Sequence, residues 1–170
     1  MNARRDDWQT PPMIEPRLPD PVTGALVVAV DDSPPALEAL RFAGELAEGL
    51  GQPLTVLSVW NFVNGHGPAA QGDEPLSEPA WQAEAERRLD ALLEEHPLPG
   101  VEVRPAVVHG NTTPTLLAAS HVAHHMVIGS RGRGGFTGLL LGSTSDQLVR
   151  HASCPVTVVR RPTSEGSHSH

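Results

Sequence analysis

Short apolar runs and helical stripes take turns along this chain. Ala25-Leu26-Val27-Val28-Ala29-Val30 has no polar residue within it and is bounded by Gly24 and Asp31-Asp32-Ser33. That pattern predicts a short strand covered on both faces. Ser33 then stands at a helix N-cap with Pro34 at the first helical position. Leu37, Leu40, Ala43, Leu46, Ala47 and Leu50 recur at steps of three and four until Gly51 supplies the stop. Leu54 to Trp60 predicts a second strand. Asn61 to Glu78, with three glycines and two prolines, reads as a long loop. Pro79 opens a second helix with Trp81, Ala85, Leu89, Leu92 and Leu93 on one face, ended by Pro97, Pro99 and Gly100. Val101 to Val108 is a third strand, and Leu116, Leu117, Ser120 and Ala123 mark a third helix. His125 to Ile128 is a fourth strand, Ser143 to His151 a fourth helix and Pro155 to Val159 a fifth strand.

Strict alternation of strands and helices predicts an α/β fold with a parallel sheet and helices on both of its faces. At 170 residues the chain suits one domain. Residues 1–23 are polar and Pro-rich and read as a disordered or loosely packed arm, 24–161 as the folded body and 162–170 as a flexible tail. The net charge is -8, and all 12 basic residues are Arg. That balance excludes the basic stripe of a nucleic-acid binder. No run nears the roughly 18 apolar residues of a membrane span. The single cysteine, Cys154, excludes an internal disulfide and a cysteine-based zinc site, and the expectation is a cytoplasmic protein.

The segment from Gly129 to Ser145 carries the candidate chemistry. It follows a strand and ends in Gly142-Ser143-Thr144-Ser145, at the start of a helix. Glycines let backbone N–H groups approach an anion, and the first N–H groups of a helix have no partner within it. Ser143 and Ser145 add hydroxyl donors, and Arg131 and Arg133 add positive charge. A Walker loop is excluded because the chain has no Lys, and the dinucleotide fingerprint fails because Thr137 stands at its third glycine. An ordinary glycine-rich surface loop with a serine cap fits the same residues.

The spacing Gly129-x2-Gly132-x9-Gly142-Ser143 resembles the nucleotide motif of the universal stress protein family. Val30-Asp31-Asp32-Ser33 is similar to that family's Val-Asp-Gly-Ser, and Ala152-Ser153-Cys154-Pro155-Val156-Thr157-Val158-Val159 to its closing segment. The resemblance spans about Gly24 to Arg161. It implies an open five-stranded parallel sheet of order 3-2-1-4-5, Rossmann-like, that binds ATP or a related adenine nucleotide; the glycine spacing before a helix start leads to ATP, with Mg2+ on the phosphates, as the expected cofactor. In that order strands 1 and 4 flank the switch point where ligands bind. By resemblance, Asp31 accepts from the adenine amino group, Val59 meets adenine through its backbone, and Ala29 and Val30 line the adenine slot. Ile128 and Gly129 floor the ribose and adenine. Gly132, Gly142, Ser143 and Thr144 cradle the phosphates. Three departures stand out: Asp32 replaces the family's Gly, Gly110-Asn111-Thr112-Thr113 replaces Gly-x-Pro-Ala with Pro114 two places late, and His124 stands where the family often has Asp.

His121 and His125 would share a helical face at i, i+4, as a metal pair or as ordinary helix-end histidines. Asp31 and Asp32 could ligate a metal as paired carboxylates. Hydrolysis needs a positioned base, and none is evident among Ser143, Ser145 and Arg133. The expected function is therefore a nucleotide-dependent regulatory protein with an unknown protein partner. A slow ATPase or phosphotransferase is the alternative. The last strand, Val156-Thr157-Val158-Val159, would lie at the sheet edge with few of the usual defences, which predicts a homodimer paired through it.

Overall fold

The computed structural model describes residues 18–61, 78–132 and 140–160. Along them run β1 (Leu26–Val30), α1 (Pro34–Leu50), β2 (Leu54–Trp60), α2 (Glu78–Glu95), β3 (Val103–His109), α3 (Thr112–Val122), β4 (His125–Gly129), α4 (Ser143–His151) and β5 (Val156–Val159). The strands form one sheet in the order β3-β2-β1-β4-β5, and every pairing is parallel. In register, Val28 lies between Val56 and Val127, and Ala29 between Leu57 and Ile128.

Two apolar cores flank the sheet, as its uninterrupted central strands require. On one face Val28, Val56 and Val127 meet Ala39, Leu40, Ala43 and Ala47 of α1 and Leu89 and Leu92 of α2. On the other, Val27, Leu57, Met126 and Ile128 meet Leu116 and Ala119 of α3 and Leu148 of α4. Each fully buried Leu or Val contributes about 1.5–3 kcal/mol over its exposed state. The buried face of α1 is mostly alanine with Gly44, so the helix can lie close to its neighbours. A Cβ on Gly44 would come within 2.7 Å of the Leu98 side chain.

The expected caps form with one difference. Gly51 ends α1 in the left-handed region (φ 62), where its N–H reaches the carbonyls of Ala47 and Glu48. Ser33 is the N-cap, but its hydroxyl makes no cap bond and donates to Asp31 instead. β3 starts at Val103 rather than Val101, because the Val101 N–H closes the turn around Gly100 on the Leu98 carbonyl. α3 starts earlier than the apolar pattern suggests, and Pro114 fits its first turn, where no helical N–H is lost.

Residues 18–23, expected in a disordered or loosely packed arm, are anchored to the body at Val22, while Asp20 and Thr23 are exposed. A single 3-10 turn spans Asp20–Val22, and Val22 is 0% exposed within the second core. The Thr55 hydroxyl donates to the Pro21 carbonyl, and the Gly24 N–H to that of Val122. Leu18 and Val22, two apolar residues among prolines and an acid, are too few to show a period, so their packing leaves no sequence signal. Among the described residues no helix is long and apolar enough to cross a membrane.

Candidate functional site

The chain leaves β1 toward α1 and β4 toward α4, and β1 and β4 are neighbours. In open α/β sheets such a switch point is where a ligand crevice forms, beyond the carboxyl ends of the two strands. α1, α3 and α4 all begin at this end of the sheet, and none has a side-chain cap. At α1, Ser33 gives its N–H (3.2 Å) and its hydroxyl to Asp31 Oδ1. At α3, the Asn111 side chain is taken by Asn61 from the end of β2. At α4 the cap is Gly142, which has no side chain.

These three helix starts are not equivalent. α1 begins with Pro34 and Pro35, which have no N–H, and its next two amides are already bonded to the Ser33 carbonyl. It has little to offer an anion. α4 begins Ser143-Thr144-Ser145, with an intact N–H at each position and the partial positive charge of a helix start. Asp146, in the same turn, would repel an anion, but Arg150 donates to both of its oxygens at 3.0 Å. That pairing raises the Arg150 pKa, through the hydrogen bond first and the charge second.

The glycine segment is pinned at its stem. The Gly142 N–H and the Ser145 hydroxyl both donate to the Ser130 carbonyl at 2.8 Å, and the Ser130 N–H donates to Val159 at 2.8 Å. Ser145 also reaches the Gly142 carbonyl at 3.0 Å and is 3% exposed. Its hydroxyl therefore holds the loop, correcting the expectation that it would donate to a phosphate. Ser143, by contrast, is exposed. Thr144 is half-buried, and its Oγ1 lies 3.0 Å from that of Thr113 in the first turn of α3. Arg131 is half-buried at the start of the loop, and Arg133 lies outside the described residues.

The glycines serve the protein's own packing. A Cβ on Gly129 would meet the Pro35 carbonyl at 2.7 Å and the Ala36 nitrogen at 2.9 Å. The glycine there lets the start of α1 sit on the end of β4. A Cβ on Gly132 would come 2.6 Å from Asp31 Oδ2, and one on Gly142 would come 3.3 Å from Arg131 Cα. Asp31 thus stands beside the glycine loop, with Oδ1 held by Ser33 and Oδ2 facing Gly132. Asp32 follows with φ 61, the one described non-glycine residue with a positive φ. A left-handed position explains the glycine that the resemblance places there, and Asp tolerates it better than most residues.

The expected apolar slot falls on the α3/α4 side of the sheet. Ala29 and Val59 are half-buried and pack against that core, and Ile128, opposite Ala29, is 4% exposed within it. Val30 belongs to the opposite core and is 6% exposed, so its side chain does not line the same slot. On the α1/α2 side the Trp60 ring stacks on His109, with centroids 4.3 Å apart, and its Nε1 donates to Gln82 at 2.9 Å.

The histidine pair is not formed. α3 ends at Val122, so His121 and His125 fall on different elements. His121 Nδ1 lies 2.8 Å from Ser153 Oγ, and His125 Nε2 lies 2.9 Å from Thr157 Oγ1. Among the described residues no group of three or more His, Cys, Asp or Glu could hold a metal. What the crevice can do is receive a ligand with an apolar body and an anionic end. The uncapped start of α4, the exposed Ser143 hydroxyl and Arg131 have the chemistry to hold an anionic group.

The Universal stress protein family model matches residues 24–160. A universal stress protein of Mycolicibacterium smegmatis is 34% identical over 140 residues, which are 79% of this chain and 45% of that protein. The chain spans about half the length of the curated relatives it matches. Among solved structures, the universal stress protein from Archaeoglobus fulgidus in complex with dAMP is 23% identical with a TM-score of 0.55, covering 81% of this chain and 98% of that one. A universal stress protein in complex with cAMP is 22% identical with a TM-score of 0.52, covering 82% and 98%.

Proposed function

The chain belongs to the universal stress protein family, and from that premise we propose that it binds ATP and acts as a nucleotide-dependent regulatory protein. One observation carries this reading. The uncapped N-terminus of α4 opens beside Asp31 and Gly132, beyond the carboxyl ends of β1 and β4. A neighbour bound to dAMP and another bound to cAMP support an adenine nucleotide. The base enters between Ala29 and Val59, over Ile128. Asp31 accepts from its amino group, and a carboxylate cannot donate to a guanine carbonyl. The phosphates lie at Gly142, Ser143 and Thr144 with Arg131 nearby, and they bring Mg2+ with them. Regulation then follows from occupancy, which changes the surface offered to a protein partner.

The protein works as a homodimer in this reading. β5 lies at the edge of the sheet, and Val156, Thr157, Val158 and Val159 are all half-buried in a single chain. Pairing two copies of this strand about a two-fold axis closes both edges.

Titration of the purified chain with ATP, GTP, AMP and cAMP, followed by a phosphate-release assay, tests the reading. The expected result is saturable ATP binding, weak GTP binding and negligible phosphate release. Equal binding of GTP and ATP removes the adenine assignment. Rapid release of phosphate replaces the regulatory binder with an ATPase.

A further inference from the structure

Thr113 stands where the family pattern has alanine, so its hydroxyl is a feature of this chain. That hydroxyl lies 3.0 Å from Thr144 Oγ1, across 31 residues of sequence, and joins the first turn of α3 to the first turn of α4. No motif points to this contact.

The two hydroxyls are placed so that one proton is always left over. A threonine near a helix start can return its proton to a carbonyl three or four residues earlier, as the Ser145 hydroxyl does to Gly142. Among the described residues neither Thr113 nor Thr144 makes such a bond, and each hydroxyl meets the other. Each hydroxyl has one proton and two lone pairs. One proton closes the bond between them and the other points away. A phosphate at the start of α4 accepts a proton from Thr144, which leaves Thr113 to donate to Thr144. A chain of hydrogen bonds that ends on a charge polarises along its length.

We propose that Thr113 is a positioning residue that sets the nucleotide site's preference for the phosphate chain. Its hydroxyl donates to Thr144, turns the Thr144 proton outward to the phosphate, and holds the start of α4 against α3. Thr113 itself does not touch the ligand. The inference rests on the nucleotide reading given above and goes beyond it by assigning phosphate discrimination to a contact between two helices.

The test is calorimetric titration of ATP and adenosine into wild type, Thr113→Val, Thr113→Ser, Thr144→Val and the double valine variant, with urea midpoints as a check on folding. Thr113→Val keeps the shape and removes the proton. It is expected to weaken ATP about fivefold, the scale of one charge-assisted hydrogen bond acting at one remove, and to leave adenosine within about twofold. Thr113→Ser restores ATP binding. The double variant loses no more than Thr144→Val alone, because both act through one proton. Unchanged ATP binding by Thr113→Val, an equal loss of adenosine, or additive losses in the double variant would overturn the proposal while leaving the nucleotide site intact. A wild type that binds neither ATP nor adenosine overturns both readings together.

Discussion

The Ser145 hydroxyl donates to the Ser130 carbonyl at 2.8 Å, and so ties the first turn of α4 to the end of β4. The same carbonyl receives the Gly142 N–H, so both ends of the glycine loop close on one atom. Ser145→Ala removes one of these two bonds and leaves the other. The expected cost is about 1 kcal/mol of folding stability in urea titration, with ATP affinity changed by less than about threefold. A large loss of affinity with no loss of stability would return Ser145 to the phosphates.

Gly129→Ala puts a methyl group into the backbone of Pro35 and Ala36 at 2.7 to 2.9 Å. Backbone gives way less readily than the tip of a side chain. The expected destabilisation is about 1–3 kcal/mol, the usual cost of overpacking, and denaturant unfolding measures it. No loss of stability would mean that α1 is not seated on β4 as described.

Asp32 combines a left-handed backbone (φ 61) with a charge one residue from Asp31. Asp32→Gly relieves the conformation but adds freedom to the unfolded chain, so stability is expected to stay within about 1 kcal/mol. ATP should bind several-fold tighter, because a negative charge leaves the mouth of the site, and the gain should shrink at high salt. Asp32→Val keeps the site free of that charge but is strained, and should lower the unfolding midpoint. Equal ATP affinity for wild type and Asp32→Gly would remove Asp32 from the approach to the phosphates.

Burial, and then the neighbouring charge of His124, lowers the His125 pKa below its ordinary 6.5. The unfolded chain therefore takes up this proton more readily than the folded one. The contribution is whole above the unfolded value and declines as the pH falls through 6.5 toward the folded pKa. His125→Gln should flatten the fall in stability between about pH 7.5 and 5 relative to wild type, as read from urea midpoints at each pH. Parallel profiles would show that His125 titrates alike in both states.

Most elements are legible because the strands are short, largely apolar runs and α1 carries its own start and stop, whereas the sheet order follows from the family resemblance and not from the pattern. Gly51 and the Ser33-Pro34 start are local signals that tertiary packing did not override. The candidate site was legible only at its motif. Where Ser145 and Ser33 send their hydroxyls depends on which carbonyl or carboxylate the fold brings near, and hydroxyl type alone does not say. The His121–His125 pair failed because β4 starts three residues after α3 ends, and helical spacing means nothing across that break. Thr113 was visible as a departure from the family pattern, but its partner lies 31 residues away and only the fold joins them.

The homodimer predicts a two-chain mass by light scattering at tens of micromolar. Val158→Pro removes an N–H from the edge strand and should yield a folded monomer. A monomeric wild type, or a folded Val158→Pro dimer, places the edge elsewhere than in an interface.

Phosphate binding at the start of α4 is best probed at Ser143, which is exposed at the first position of that helix. Ser143→Asp sets a negative charge at a helix N-terminus, which favours the helix by about 0.3–1 kcal/mol. The same charge occupies the place assigned to phosphate. Calorimetric titration of ATP, with urea unfolding alongside, separates the two effects. The variant is expected to be at least as stable as wild type and to lose tenfold or more in ATP affinity, about 1.4 kcal/mol. ATP binding of wild-type strength by a folded Ser143→Asp protein would contradict it.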